Sequence, residues 1–273
     1  MSALWKSWAA ALIAAFPFAQ AVLGQEEDAE RLVADAQAQF ENGKRMAEKD
    51  PDGSRKVFRA AGEGFALAAQ LAGDRGAAHY NAGNAFTFSG DIGEAIFHYR
   101  MAQTYHPFDP NIAHNLNNAR GLTLDSVAEE PTRSLVDLGA RGVRFVRAKW
   151  RAALFVLGYA ALFGLLIAAF AWGRSALRRK AAWACGIVVV VAGASLLVEW
   201  WVCQGGREGV VVAEEVVART GDGRVYPTAF SNPLHAGVEF RLRERRGDWV
   251  RAMLWNGEEG WIPVSGVRII GAK

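Results

Sequence analysis

The sequence predicts a fold of class α + membrane + β, with an α-helical repeat domain, two transmembrane helices in a hairpin, and a small C-terminal β-barrel. Three observations support this prediction: a 34-residue echo in the first half, two long uncharged apolar runs, and short segments of alternating polarity at the end. The chain has 273 residues, 51% of them hydrophobic, and the apolar residues are too unevenly spread for one soluble core.

The first 24 residues have the pattern of a secretory signal peptide. Lys6 precedes an apolar run from Trp8 to Phe18, and small residues follow before the acidic stretch Glu26-Glu27-Asp28. Ala19-Gln20-Ala21 has the small residues that a signal peptidase needs. The alternative is an uncleaved anchor helix. Both interpretations predict that the following residues are exported.

Two apolar runs in the middle of the chain predict membrane spans. Ala152 to Trp172 are 21 consecutive residues without a charge, and Ala181 to Val198 are another 18, near the roughly 20 that cross a bilayer. Tryptophans flank both runs, as is typical of membrane interfaces. We therefore expect transmembrane helices at 151–173 and 181–203, joined by a hairpin at 174–180.

Basic residues next to the spans bear on their orientation. The hairpin contains Arg174, Arg178, Arg179 and Lys180, which favour the cytoplasmic side. Five positive charges between Arg141 and Arg151 compete with them. Export of residues 25–140 resolves this conflict, because it leaves the hairpin in the cytoplasm and returns the C-terminal domain to the outside. The basic segment 125–150 is expected either to lie on anionic headgroups as a helix or to extend the first span.

Helical punctuation recurs within residues 25–124. The positions of the tetratricopeptide pattern are occupied by His79, Ala82, Gly83, Phe86, Ala95, Tyr99 and Pro107. Asn115 and Asn118 lie 34 residues after Asn81 and Asn84, so a further first helix is expected near Asn111. The segment 26–71 looks like a degenerate earlier repeat. Residues 25–124 therefore resemble a tetratricopeptide-repeat domain.

The same resemblance implies a partner-binding face, because the first helix of each repeat lines the concave side of such domains. On it lie Tyr80, Asn81, Asn84, Asn115 and Asn118. An amide both donates and accepts hydrogen bonds, which suits an extended partner backbone. No Lys or Arg occurs from Gly76 to Phe97, which argues against a clamp for a terminal carboxylate. The alternative is that these asparagines bond to the neighbouring helices and only stiffen the stack.

Period-two patterning begins at Glu208 and predicts five short strands separated by glycine-containing turns. About 65 residues of closely spaced strands can close into a small barrel. The segment 208–273 resembles a bacterial SH3-like domain through Gly247-Asp248-Trp249 and Gly260-Trp261-Ile262-Pro263. The resemblance places Trp249 and Trp261 in a ligand groove, and core packing is the alternative role for each.

Catalytic chemistry finds little support in the residue types. The two cysteines, Cys185 and Cys203, are expected on one helix roughly 27 Å apart, so they cannot pair with each other. A zinc site needs three or four convergent ligands, and the five histidines fall at or beside packing positions. Residues 25–140 carry 18 acidic and 11 basic side chains, unlike a nucleic-acid-binding domain. We predict a protein without enzymatic activity, cofactor or metal.

The order of the parts resembles the BatE-type component of the Bacteroides aerotolerance (Bat) operon. The resemblance runs through Tyr80-Asn81-Ala82-Gly83-Asn84-Ala85-Phe86, Gly93-Glu94-Ala95-Ile96, His114-Asn115-Leu116 and the two tryptophan motifs. It implies a membrane-bound partner of other Bat proteins, which carry von Willebrand A domains and work with a MoxR-type ATPase. The expected function is an inner-membrane scaffold for envelope stress, with both domains in the periplasm. The alternative is a membrane-anchored module that binds peptidoglycan.

Overall fold

The computed structural model describes residues 26–71, 74–125, 148–173, 175–203 and 207–271. Two compact units divide them: residues 26–125 and 207–271 form one, and residues 148–203 form the other. The predicted signal peptide, at 1–24, and most of the basic segment 125–150 lie outside the described residues.

Five helices form the first half of the larger unit: α1 (26–46), α2 (Pro51–Leu71), α3 (Arg75–Ser89), α4 (Ile92–Tyr105) and α5 (Pro110–Arg120). Aspartates precede three of them, and Asp74 and Asp109 accept hydrogen bonds from the backbone N–H groups of Ala77 and Asn111. The predicted break at 50–53 is shorter in the structure. Pro51 already begins α2, because proline fits the first helical position.

Glycines allow consecutive helices of this unit to pack closely. The ring of Tyr99 on α4 lies against Gly83 of α3, where a Cβ would come within 2.6 Å of the ring. The ring of Phe86 on α3 lies against Gly62 of α2, at 2.9 Å from the equivalent position. Gly90, with φ 89°, ends α3 in the left-handed region, as the predicted turn requires. The small residues therefore determine where the aromatic rings fit.

Seven strands follow in the described part of the chain: β1 (Arg207–Val211), β2 (Glu215–Val216), β3 (Leu234–His235), β4 (Glu239–Arg246), β5 (Trp249–Met253), β6 (Glu259–Pro263) and β7 (Val267–Ile269). Five of them form an antiparallel sheet in the order β6-β5-β4-β1-β7, and β2 pairs with β3. The first and last strands are therefore neighbours, as closure of a small barrel requires.

Two strands of this domain exceed the five that the sequence predicts. The short β3 has only two residues, too few for an alternating pattern. The Gly-Trp-Ile-Pro motif is itself part of β6, where Gly260 and Pro263 interrupt the usual strand composition. The predicted turns are present, and Gly237, Gly247 and Gly257 have φ of 97°, 52° and 89°.

The helical and β parts of the larger unit share a core. Val210 of β1 lies in the same buried cluster as Ile96 of α4. A Cβ on Gly93 of α4 would come within 2.5 Å of the carbonyl oxygen of Val211. The predicted domains 25–124 and 208–273 thus pack into one compact unit along α4 and β1.

The smaller unit consists of two helices, α6 (Ala148–Trp172) and α7 (Ala176–Cys203). The 22-residue windows Trp150–Ala171 and Ala176–Leu197 are long and apolar enough to cross a membrane. The helices meet at small residues: a Cβ on Gly158 would lie 3.2 Å from Val189, and one on Gly193 would lie 3.0 Å from Phe155.

The connection between α6 and α7 is shorter than the predicted hairpin at 174–180. The α7 helix begins at Ala176, because the Ser175 hydroxyl accepts a hydrogen bond from the Arg178 N–H at 3.2 Å. The Arg178 guanidinium also donates to the carbonyl of Ala168 at 3.0 Å. At the other end of the pair, Arg151 donates to the carbonyl of Ser195 at 3.2 Å.

Candidate functional site

The predicted partner-binding residues, here called the amide face, are Tyr80, Asn81, Asn84, Asn115 and Asn118. Asn84 on α3 is the centre of a hydrogen-bond network, because its Oδ1 accepts from Tyr99 Oη at 2.8 Å and from Asn115 Nδ2 at 2.9 Å. Asn115 Nδ2 also donates to Tyr80 Oη at 3.1 Å. The network joins α3, α4 and α5, and it fixes these side chains in place.

The network is uncharged. Burial raises the pKa of Tyr99 to about 12, so its phenol stays protonated at neutral pH and can donate to Asn84. Thr87 Oγ1 lies 3.2 Å from the same phenol oxygen and donates to the carbonyl of Gly83 at 2.8 Å. A partner at this face therefore meets fixed dipoles and no formal charge.

The other two amides are freer to bind. Asn118 is exposed, and its Nδ2 lies 3.0 Å from His114 Nε2. Asn81 is half-buried, and its side chain has no hydrogen bond to any residue in the described part of the chain. The amide face therefore combines a rigid centre, at Asn84 and Asn115, with the available groups of Asn81 and Asn118.

An aromatic cluster extends this face and was not predicted from the sequence. Phe88 lies four residues after Asn84 on the same side of α3 and is 57% exposed. Its ring stacks on Phe58 of α2 at 5.1 Å and meets Phe40 of α1 edge-on at 5.6 Å. The spacing of Asn81, Asn84 and Phe88 is the sequence pattern that would have revealed the cluster.

The β domain has an open cleft of about 370 Å³. Its lining comprises Ala213, Glu215, Val216, Val217, Arg219, Arg224, Trp249, Pro263, Ser265 and Gly266. One aromatic ring, two arginines and one carboxylate thus face the same space. Trp249 lies where the sequence resemblance places it.

Trp261 does not line this cleft. It is only 7% exposed, and the Arg246 guanidinium lies 5.0 Å from the centre of its ring. Hydrogen bonding to Glu244, and the charges of Glu244 and Asp222, raise the pKa of Arg246, which keeps the cation in place. The structure therefore separates the two predicted groove tryptophans: Trp249 is available to a ligand, and Trp261 is covered.

Four charged side chains, the four-charge cluster, lie between the helices and the sheet. Arg100 of α4, 5% exposed, pairs with Glu208 of β1 and with Glu239 of β4 at 3.3 Å. Arg120 of α5 binds both oxygens of Glu239, at 2.6 and 2.9 Å. These residues were not singled out from the sequence, because only the fold brings residues 119 positions apart into contact.

The histidines do not form a metal site, since no three His, Cys, Asp or Glu side chains converge for a metal ion within the described ranges. His235 Nδ1 lies 2.9 Å from Asp125, and His106 Nε2 lies 2.9 Å from Asp74. The hydrogen bond with His106 lowers the pKa of the Asp74 carboxyl. His79 and His98 contact each other, as described below.

Comparison of the chain with models of protein families, with curated proteins and with solved structures finds no match. The amide face, the cleft and the four-charge cluster are therefore the features from which a function is inferred.

Proposed function

We propose that this protein is a membrane-anchored, non-enzymatic scaffold that binds partner proteins on the amide face. The observation that carries the proposal is the fixed network of Tyr80, Asn84 and Asn115 beside the available amide of Asn81. Groups that are already ordered lose little further entropy when a partner binds. Their uncharged character suits the main-chain groups of an extended segment.

The same proposal gives the parts their identities. The helices α1 to α5 are tetratricopeptide repeats, and residues 207–271 are an SH3-like domain whose first and last strands are neighbours. The chain sits in the inner membrane of a cell envelope, with both domains in the periplasm. Its partners are other envelope proteins, of the von Willebrand A-domain type found in Bat complexes.

The packing of the larger unit supports the shared location of the two domains. Residues 26–125 precede the two apolar helices and residues 207–271 follow them, yet they share a core. Segments of one compact unit lie on the same side of a membrane. Two crossings between them satisfy this requirement.

Site-specific photocrosslinking in intact membranes tests the scaffold proposal. A photoreactive residue at position 81 or 118 of the full chain is expected to give discrete crosslinked bands. The same residue at position 70, an exposed site on α2, is the matched control and should give none. Equal crosslinking at all three positions would remove the amide face as the binding surface.

A second candidate function is peptidoglycan binding by the β domain, favoured by the position of Trp249 beside Arg219, Arg224 and Glu215 in the cleft. The full chain in detergent should then sediment with purified peptidoglycan, and Trp249→Ala should abolish sedimentation. Trp255→Ala is the matched control, because this half-buried tryptophan lies outside the cleft lining and contacts Arg241. Failure of the unmodified chain to sediment would exclude this candidate.

A further inference from the structure

Two buried histidines contact each other between α3 and α4. His79 Nδ1 lies 2.9 Å from His98 Nδ1, and the residues are 9% and 5% exposed. Phe86 stacks on His98 with ring centres 5.3 Å apart, and Tyr105 stacks on His79 at 6.1 Å. The two imidazoles thus face each other inside an aromatic enclosure.

The charged groups around the pair are mainly positive. Arg75 from α3 acts on His79, and Arg268 from β7 acts on His98. Glu94 of α4 is the nearest acid recorded on these elements, and it pairs with Arg268 at 3.1 Å. The titratable Tyr105 covers His79. No carboxylate contacts either imidazole within the described ranges.

The contact between the rings depends on their protonation. When both are neutral, one Nδ1–H donates to the other Nδ1. One added proton preserves this bond but places a charge in a buried site near Arg75 and Arg268. Two added protons point two N–H groups at each other across 2.9 Å, so the contact must break.

Protonation of the pair bears on the whole larger unit, because α4 carries both His98 and the contacts to the sheet. Gly93 and Ile96 pack on β1 and its surroundings, and Arg100 belongs to the four-charge cluster. Glu94, four residues before His98, binds Arg268 of β7. A displacement of α4 from α3 would therefore also loosen the docked β domain.

We propose that His79 and His98 form an acid-sensitive latch that holds α4 against α3, and that protonation of the pair releases α4 together with the docked β domain. Such a latch would let mild acid outside the cell change how the two domains are presented.

The direction of the pH effect follows from burial. Burial, together with Arg75, lowers the pKa of His79 to about 4, and burial, with His79 and Arg268, lowers that of His98 to about 3. The unfolded chain, with a pKa near 6.5, binds protons first. The stability of the latch is therefore complete above about pH 7 and is lost as the pH falls below about 6.5.

Hydrogen exchange of the full chain in detergent micelles tests the latch. After correction for intrinsic exchange, amides of α4 and β1 should exchange at least about tenfold faster at pH 5 than at pH 7.5. The double variant His79→Phe, His98→Phe should lose this acceleration. His106→Gln, which removes an exposed histidine, is the control and should retain it. An equal acceleration in the double variant would overturn the proposal.

A second measurement does not require the double variant to fold. Nuclear magnetic resonance of the histidine rings of the unmodified chain should find His79 and His98 neutral at pH 6, while exposed His114 titrates ordinarily. A midpoint near about 6.5 for either buried ring would overturn the latch.

Discussion

At the scale of single residues, Asn84 joins three helices through one oxygen atom. Its Oδ1 accepts hydrogen bonds from Tyr99 of α4 and Asn115 of α5. Removal of this acceptor would leave the buried phenol of Tyr99 with a longer contact to Thr87. A buried polar group that loses its partner costs more free energy than the bond itself contributes.

We predict that Asn84→Ala lowers the free energy of unfolding of the full chain by about 1–3 kcal/mol. Asn118→Ala is the matched control, because Asn118 is exposed, and it should change this free energy by less than about 0.5 kcal/mol. Urea unfolding in detergent measures both values. Equal losses from the two substitutions would contradict a central role for Asn84 in the stack.

The same comparison separates the two roles that the sequence leaves open for the asparagines. The 34-residue echo places all four on one face, but it does not distinguish an amide bonded within the stack from one offered to a partner. The structure favours the first role for Asn84 and Asn115, whereas Asn81 remains without a side-chain bond among the described residues. Tyr99 completes the network from α4, a contact for which helical spacing alone offers no indication.

At the scale of elements, α4 and β1 meet closely because α4 has a glycine at the crossing. A Cβ at position 93 would lie 2.5 Å from the Val211 oxygen and 2.8 Å from the Val212 Cα. Both neighbours are backbone atoms, which cannot move without displacing the strand. Alanine would favour the helix itself by about 1 kcal/mol, so any net loss must come from this interface.

We predict that Gly93→Ala lowers the free energy of unfolding by about 1–3 kcal/mol, despite its higher helix propensity. Gly121→Ala is the matched control: its φ of −66° is helical, and a Cβ there would lie 3.3 Å from its nearest neighbour. The control should leave stability unchanged or raise it. Hydrogen exchange of α4 and β1 should rise only in the Gly93 variant, and unchanged exchange would mean that the two elements are not in contact.

Charge also holds these elements together, and burial determines how much each pair contributes. Glu239 is 8% exposed and binds both Arg100 and Arg120, whereas Glu94 and Arg268 form a more exposed pair. Removal of one partner from a buried ion pair leaves an uncompensated charge in a site that water does not reach.

We predict that Glu239→Gln lowers the free energy of unfolding by about 3–5 kcal/mol, whereas Glu94→Gln lowers it by about 0–1 kcal/mol. Chemical unfolding of both variants in the same detergent measures the difference. Similar small losses would mean that the four-charge cluster is solvated and does not hold the sheet against the helices.

Local chemistry made most elements predictable, since the helices begin at aspartate and proline and the turns contain glycine with positive φ. The apolar runs also match the two observed long helices. The interface was not predictable, because Val210 resembles an ordinary strand residue and Arg100 an ordinary helix residue. Their contact depends on the distance between elements, which periodicity does not encode.

At the scale of the whole molecule, the compact unit on either side of the hairpin determines a feature of topology. Its two chain segments lie before and after the apolar helices, so an even number of crossings must separate them. This argument requires that both segments share one side. It leaves the choice of side to the charges and to the N-terminal segment.

The basic residues compete over that choice. The hairpin carries Arg178, Arg179 and Lys180 close to the start of α7, and the segment before α6 carries five positive charges from Arg141 to Arg151. Each group alone favours the cytoplasm, and the two groups lie at opposite ends of the first span. The signal-like residues 1–24 decide between them if they direct export of the helical domain.

We predict that a reporter active only in the cytoplasm stays silent when fused after Lys273, because both parts of the compact unit are outside. The same reporter fused after Ser89, within the helical domain, should also be silent, and one inserted after Ser175 should be active. Activity after Lys273 and after Ser89 together would reverse the orientation but keep the shared side. Activity at only one of the two would contradict the packing of α4 on β1, since the segments would then lie on opposite sides of the membrane.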